Sequence, residues 1–161
     1  MTDELSTADR QFLRAAVELA RDAVAAGDEA FGSLLVDAAG VTLFADRNRV
    51  SGGDATRHPE LAIAMWAVQN LSADERRTSV VYTSGEHCPM CSAAHAWVGL
   101  GRIVFASSSA QLAAWQAEWN LAAGPVASLP INVVAPTVPT SGPDPDLADE
   151  IRALHAAALG V

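Results

Sequence analysis

The sequence predicts an α/β protein, a mixed five-stranded sheet covered on both faces by helices. Two observations carry that expectation. The hydrophobic period switches repeatedly between helical and strand spacing along the chain, with no internal repeat. The chain also has 161 residues, half of them apolar, which suits one ordinary domain with a real core.

The elements follow in order. Thr7 to Ala26 places Phe12, Leu13, Ala16, Val17, Leu19, Ala20 and Val24 at helical spacing, with Arg10, Arg14, Glu18 and Asp22 opposite, and Gly27 as a stop. Phe31 to Val36 and Val41 to Val50 read as two strands joined by a hairpin-like turn, Asp37-Ala38-Ala39-Gly40. A polar loop, Ser51 to Thr56, leads to a helix over His58 to Leu71. Ser79 to Thr83 reads as a buried strand, Cys88 to Leu100 as a helix, and Arg102 to Ala106 as a fourth strand. Ala110 to Asn120 is expected to be helical and Ile131 to Ala135 to form the fifth strand. The proline-rich stretch 136–145 then reads as a stiff linker between a domain over 1–135 and a terminal amphipathic helix within 146–161. That helix is expected to dock on its own domain or on a neighbouring copy.

Composition narrows the function classes. The formal net charge is -9, and all ten basic residues are arginine. Such a chain lacks the broad positive surface of nonspecific nucleic-acid or membrane binders. No stretch approaches the ~20 apolar residues that span a bilayer, and the acidic start, Met1 to Glu4, lacks the basic opening of a signal peptide. The two cysteines, Cys88 and Cys91, form one C-x-x-C pair. A single pair is no disulfide scaffold; it points to metal binding or redox chemistry, and to the cytoplasm.

Two segments concentrate the chemistry: Arg57-His58-Pro59-Glu60 and Glu86-His87-Cys88-Pro89-Met90-Cys91. A catalytic zinc ion needs three nitrogen or sulfur ligands and an open position, and His58, Cys88 and Cys91 supply such a set. Two thiolates balance the dication and still let it acidify a water. Cys88 and Cys91 share one helix face in a first turn, where the helix dipole favours thiolate. Pro89 suits the first helical position. Glu60, two residues beyond His58, is placed to shuttle a proton. A closed structural site would instead recruit His87 or His95 as fourth ligand.

H-x-E followed some thirty residues later by C-x-x-C resembles the zinc-dependent cytidine deaminase superfamily. Ala30-Phe31-Gly32, Asn48, Asp54 to Glu60 and Gly101-Arg102-Ile103-Val104-Phe105 are similar to segments of its guanine deaminase and tRNA adenosine deaminase branch. The resemblance implies a three-layer α/β/α fold, zinc as cofactor, and a homodimer. It implies hydrolytic deamination of a free nucleobase or related aminated heterocycle: a guanine-like aminopurine, cytosine or an aminotriazine. A tRNA adenosine deaminase gripping an RNA loop is the alternative, disfavoured by the acidic, lysine-free composition. Asn48 and Phe31 are then expected to contact substrate. His87, which replaces the family's proline, is expected at the pocket edge. Glu118 falls where related proteins carry a second acid, although a solvated helix charge is the simpler reading. Trp97, Trp115 and Trp119 read as packing residues, His155 as a surface residue, and Arg47, Arg49 and Arg57 as solvated or carboxylate-paired side chains in preference to a phosphate contact.

Overall fold

A computed structural model describes residues 4–161; the acidic start at Met1 to Asp3 lies outside them. The elements, in chain order, are α1 (Thr7–Ala25), β1 (Gly32–Val36), β2 (Thr42–Arg47), α2 (Pro59–Asn70), α3 (Ala73–Thr78), β3 (Val80–Gly85), α4 (Pro89–Trp97), β4 (Arg102–Ser107), α5 (Ser109–Glu118), α6 (Ile131–Val134), β5 (Thr140–Ser141) and α7 (Ala148–Leu159). Short 3-10 turns at Val50–Gly52 and Pro145–Leu147 complete the chain.

The strands form one mixed sheet in the order β2-β1-β3-β4-β5. β1 runs antiparallel to β2 and β3, while β3, β4 and β5 are mutually parallel. Side chains alternate across the sheet as strand geometry requires, and this divides the core in two. Leu34, Val36, Tyr82, Val104 and Ala106 face α1, α7 and Trp115. Leu35, Val81, Ile103 and Phe105 face Ile63, Ala64 and Ala67 of α2, together with Leu100 and Ile131. Gly32 lets α1 lie directly on β1; a Cβ there would overlap the Ala16 carbonyl and Leu19.

Local signals set several helix starts. Ser6, Ser72 and Ser108 each cap a helix, with Asp9, Glu75 and Gln111 returning the bond to the cap residue, the reciprocal arrangement of a capping box. Asp9 does more: it accepts hydrogen bonds from Tyr82 Oη at 2.9 Å and from Arg102, which also donates to Ser141. One carboxylate therefore links the start of α1 to β3, β4 and β5.

Three expectations are corrected. Ile131 to Ala135 is not a strand; Ile131–Val134 makes one helical turn, with Ile131 buried. The fifth strand is Thr140–Ser141, inside the stretch read as a linker, where it pairs parallel to β4. Its two-residue length leaves no periodicity to read. The second strand ends at Arg47, before the 3-10 turn at Val50. Helix α7 packs against α1, and Arg14 and Arg21 of α1 both pair with Glu150 of α7.

Candidate active site

The chemistry gathers where β3 and β4 end, the region in which open α/β sheets bind ligands. β3 delivers Gly85, and the next three residues reach Cys88, the cap of α4; Cys91 lies one turn into that helix. His58 caps α2 with Pro59 at its first position. Helices α2 and α4 pack together, so their N-termini bring His58, Cys88 and Cys91 into one cluster.

His58 Nδ1 lies 3.6 Å from Cys88 Sγ and 3.6 Å from Cys91 Sγ, and the three donor atoms lie within 4.8 Å of one another. Zinc–sulfur bonds of about 2.3 Å and zinc–nitrogen bonds of about 2.0–2.1 Å at a tetrahedral angle imply a nitrogen–sulfur edge of about 3.6 Å. The cluster therefore fits a tetrahedral zinc ion held by three ligands, leaving a fourth position. The electrostatics agree. Hydrogen bonding from Cys91, helped by His58, holds the Cys88 thiol at about 4 against the effect of burial. The Cys88 sulfur and burial in turn push Cys91 well above the usual thiol range. Two adjacent thiolates repel, and a dication between them removes that conflict.

Glu60 is buried beside the cluster. Its Oε1 is 3.0 Å from Ser33 Oγ and 3.2 Å from Thr83 Oγ1, two hydroxyls on facing strands. Burial raises its pKa, opposed by the His58 charge and the bond from Ser33. A carboxyl group with raised proton affinity, fixed by two strands, is suited to accept and release a proton.

The remaining predicted residues divide. Phe31 is half-buried with its ring over Gly85, where a Cβ would meet Phe31 Cε1 at 2.8 Å. Asn48 is fully buried, its amide N–H donating to Glu29 Oε2 at 3.3 Å and its Oδ1 accepting from Val50 N at 3.1 Å. His87 is not at a pocket edge. It is buried against His95, ring centroids 5.4 Å apart, with neither ring nitrogen hydrogen-bonded. The backbone around it is anchored, with Ser92 Oγ donating to the His87 carbonyl and Glu86 N to Ser107 O. His95 Nε2 bonds Gly101 O at 2.7 Å, and neither histidine joins the metal cluster. Glu118 pairs with Arg152 of α7; no hydrogen bond or ion pair among the described residues links it to Glu60, Asn48 or the cluster. Arg47 pairs with Asp28 and Arg49 with Asp46.

Two residues lay outside the sequence-based site. Glu29 touches Asn48, and its charge helps raise the His58 pKa, an effect led by the Cys88 hydrogen bond. His155 is buried, not on the surface, and packs edge-on to Phe31 with centroids 5.0 Å apart. It had a sequence signal, since Ile151, Leu154, His155 and Ala158 form an i, i+3, i+4, i+7 stripe.

A sheet flanked by helices, with a His-Cys-Cys zinc centre at its strand ends and a buried glutamate beside it, defines a zinc hydrolase site of the deaminase type. The chain matches the model of the cytidine and deoxycytidylate deaminase zinc-binding region over residues 6–107 and belongs to that family. It is 35% identical over 109 residues to a probable cytosine deaminase of Schizosaccharomyces pombe, covering 68% of this chain and 66% of the relative. It is 32% identical over 97 residues to guanine deaminase of Bacillus subtilis, covering 60% and 62%. The match thus spans just under two thirds of each relative's length. The solved guanine deaminase of Nitrosomonas europaea shares the fold, with a TM-score of 0.71 over 98% of this chain and 87% of that one at 21% identity. No described helix is long and apolar enough to cross a membrane.

Proposed function

We propose that this protein is a zinc-dependent aminohydrolase that deaminates a free nucleobase or a related aminated heterocycle. The observation that carries this reading is Glu60, buried and doubly hydrogen-bonded beside the His58-Cys88-Cys91 cluster. The cytosine and guanine deaminases it resembles support the substrate class.

Bound by His58, Cys88 and Cys91, zinc supplies an acidified water and positive charge beside the reacting carbon. Glu60 takes one proton from the attacking water and passes it to a ring nitrogen, then carries the second, from the hydroxyl now on the ring carbon, to the departing amine. One water is consumed, a C–O bond replaces the C–N bond, and ammonia leaves. Ser33 and Thr83 hold Glu60 in place for both transfers, and Phe31 forms a wall of the base site.

The -9 charge supports a small substrate over an RNA loop. The paired thiols need a reducing compartment, such as the cytoplasm, to remain metal ligands. A homodimer is supported by apolar side chains exposed on the adjoining helices α2 and α4: Met65, Val68 and Trp97, the last 89% exposed. Sedimentation of the purified chain tests that assembly.

The deciding experiment is ammonia release from cytosine, guanine, 2,6-diaminopurine, an aminotriazine, the matching nucleosides and an anticodon-loop RNA, using zinc-loaded protein. Turnover of a free base is expected. Activity confined to the RNA, or none at all, overturns the reading.

A further inference from the structure

We propose that His155, on the C-terminal helix α7, is a positioning residue for the base site: packed edge-on against Phe31, it confines that ring and so sets the width of the space a base enters. This rests on the deaminase reading above.

Distances place Phe31 at the site. Its ring lies over Gly85, where a Cβ would meet Phe31 Cε1 at 2.8 Å. Gly85 stands three residues before the ligand Cys88, and its carbonyl accepts from Thr83 Oγ1 at 2.8 Å. Two residues beyond Phe31, Ser33 Oγ is 3.0 Å from Glu60 Oε1. Phe31 therefore leads into β1 and its ring covers the end of β3, the two strands whose hydroxyls hold Glu60.

The backbone of Phe31 is fixed on both sides, its N–H donating to Glu29 O at 2.8 Å and its carbonyl accepting from Asn48 N at 2.9 Å. What freedom remains lies in the side-chain torsions, and two neighbours limit it. Gly85 is one. The other is His155, with ring centroids 5.0 Å apart and planes at 67°, an edge-on arrangement that attracts. His155 is buried, and no described residue hydrogen-bonds to its ring. The ring therefore acts through its shape and its edge. Trp115 backs it from the far side of the core, with centroids 6.2 Å apart.

Helix α7 holds His155 firmly. Ile151 and Leu154 enter the core shared with α1, Glu150 pairs with Arg14 and Arg21, and Arg152 pairs with Glu118 while lying 5.9 Å over the Trp119 ring. A ring confined between a backbone and a fixed neighbour keeps one rotamer. A wall already in its bound rotamer spares the cost of ordering it when a base arrives. Without His155 the Phe31 ring regains torsional freedom that binding must remove, so affinity for the base falls. Glu60 and the metal cluster are held by other contacts, so the chemical step keeps its rate.

The test uses zinc-loaded wild type, His155→Ala, His155→Leu and His155→Phe, each also in a Phe31→Ala background. All are assayed on whichever of cytosine, guanine and 2,6-diaminopurine the wild type turns over fastest. His155→Ala should raise KM by about 3- to 10-fold, the worth of an aromatic pair, and keep kcat per zinc-bearing folded chain within about twofold. His155→Leu fills the space without an aromatic edge and serves if the alanine variant fails to fold; its KM should rise by about 2- to 5-fold. His155→Phe, which keeps an edge, should return KM close to the wild-type value. In the Phe31→Ala background none of the three should change KM, since the ring through which His155 acts is gone. A merely structural role would lower the melting temperature and the folded fraction and leave KM alone. Unchanged KM in His155→Ala and His155→Leu, or an equal rise with and without Phe31, overturns the role of His155 and leaves the deaminase reading intact. Wild type inactive on every base overturns the deaminase reading and this assignment with it.

Discussion

The two faces of the sheet have similar cores and different tasks. On one face, α1 and α7 bury Leu13, Ala16, Val17, Ile151 and Leu154 against β1, β3 and β4, and ion pairs from Arg14 and Arg21 to Glu150 cross between the helices. On the other, α2 and α4 bury Ile63 and Ala64, but their first turns carry His58, Glu60, Cys88 and Cys91, and their flanks leave Met65, Val68 and Trp97 exposed. The same alternation of side chains builds both faces. What differs is what happens at the strand ends: on the α2 side the sheet changes from Val81 to Thr83 to Gly85, from core to hydrogen-bond donor to open backbone. Stability and chemistry are thus largely divided between the two faces, with the contact between His155 of α7 and Phe31 linking them.

The largest expected effect lies on the chemical face. Glu60→Gln should lower kcat by about 10²- to 10⁴-fold while metal analysis still finds zinc and the melting curve stays close to wild type. Loss of zinc in that variant would place Glu60 among the ligands.

Next in size, Leu13→Ala on the opposite face should destabilise the fold by about 2–5 kcal/mol, read from urea unfolding. The kcat of the folded fraction should be retained. A parallel loss of kcat would show that the two faces are coupled.

A smaller effect probes both faces together. Burial lowers the pKa of His155 and of His95 to about 4. Both rings are therefore neutral when folded, whereas the unfolded chain takes up protons near the ordinary value of 6.5. Stability should be fully present above about pH 6.5 and decline as the pH falls toward 4. His155→Phe should flatten part of that decline in a series of melting temperatures.

The smallest effect belongs to the exposed ion pairs. Arg14→Ala should cost about 0–1 kcal/mol, and the cost should shrink in high salt. A larger loss would mean that the Glu150 pairs hold α7 in place, not its apolar stripe.

Much of this arrangement was legible in the sequence where local chemistry dictates structure. The sheet strands through β4, the two helix starts bearing H-x-E and C-x-x-C, and the prolines following His58 and Cys88 all follow from spacing and capping rules. The short α3 was equally available, since Ser72-Ala73-Asp74-Glu75 is a capping-box sequence. Other features depend on contacts made at long range. Ile131 to Ala135 carries a strand-like apolar run, yet Glu86 Oε1 accepts from Ile131 N and starts a helical turn there. Thr140–Ser141 becomes a strand because β4 offers an edge, not because of its own pattern. Glu29 has no signature in sequence at all; only the folded loop brings it to Asn48.

Glu86 also has a topological consequence. Its carboxylate accepts hydrogen bonds from Ser109 N and Oγ as well as from Ile131 N, so one side chain pins both ends of the excursion between residues 109 and 131. Within it, residues 122–130 are exposed and carry no helix or strand. Lengthening a loop whose ends are already fixed costs only about 0.6 kcal/mol for each doubling. The chain therefore contains a built-in insertion port whose anchor, Glu86, lies two residues before the ligand Cys88, and new sequence can be grafted there while the metal-bearing turn keeps its place.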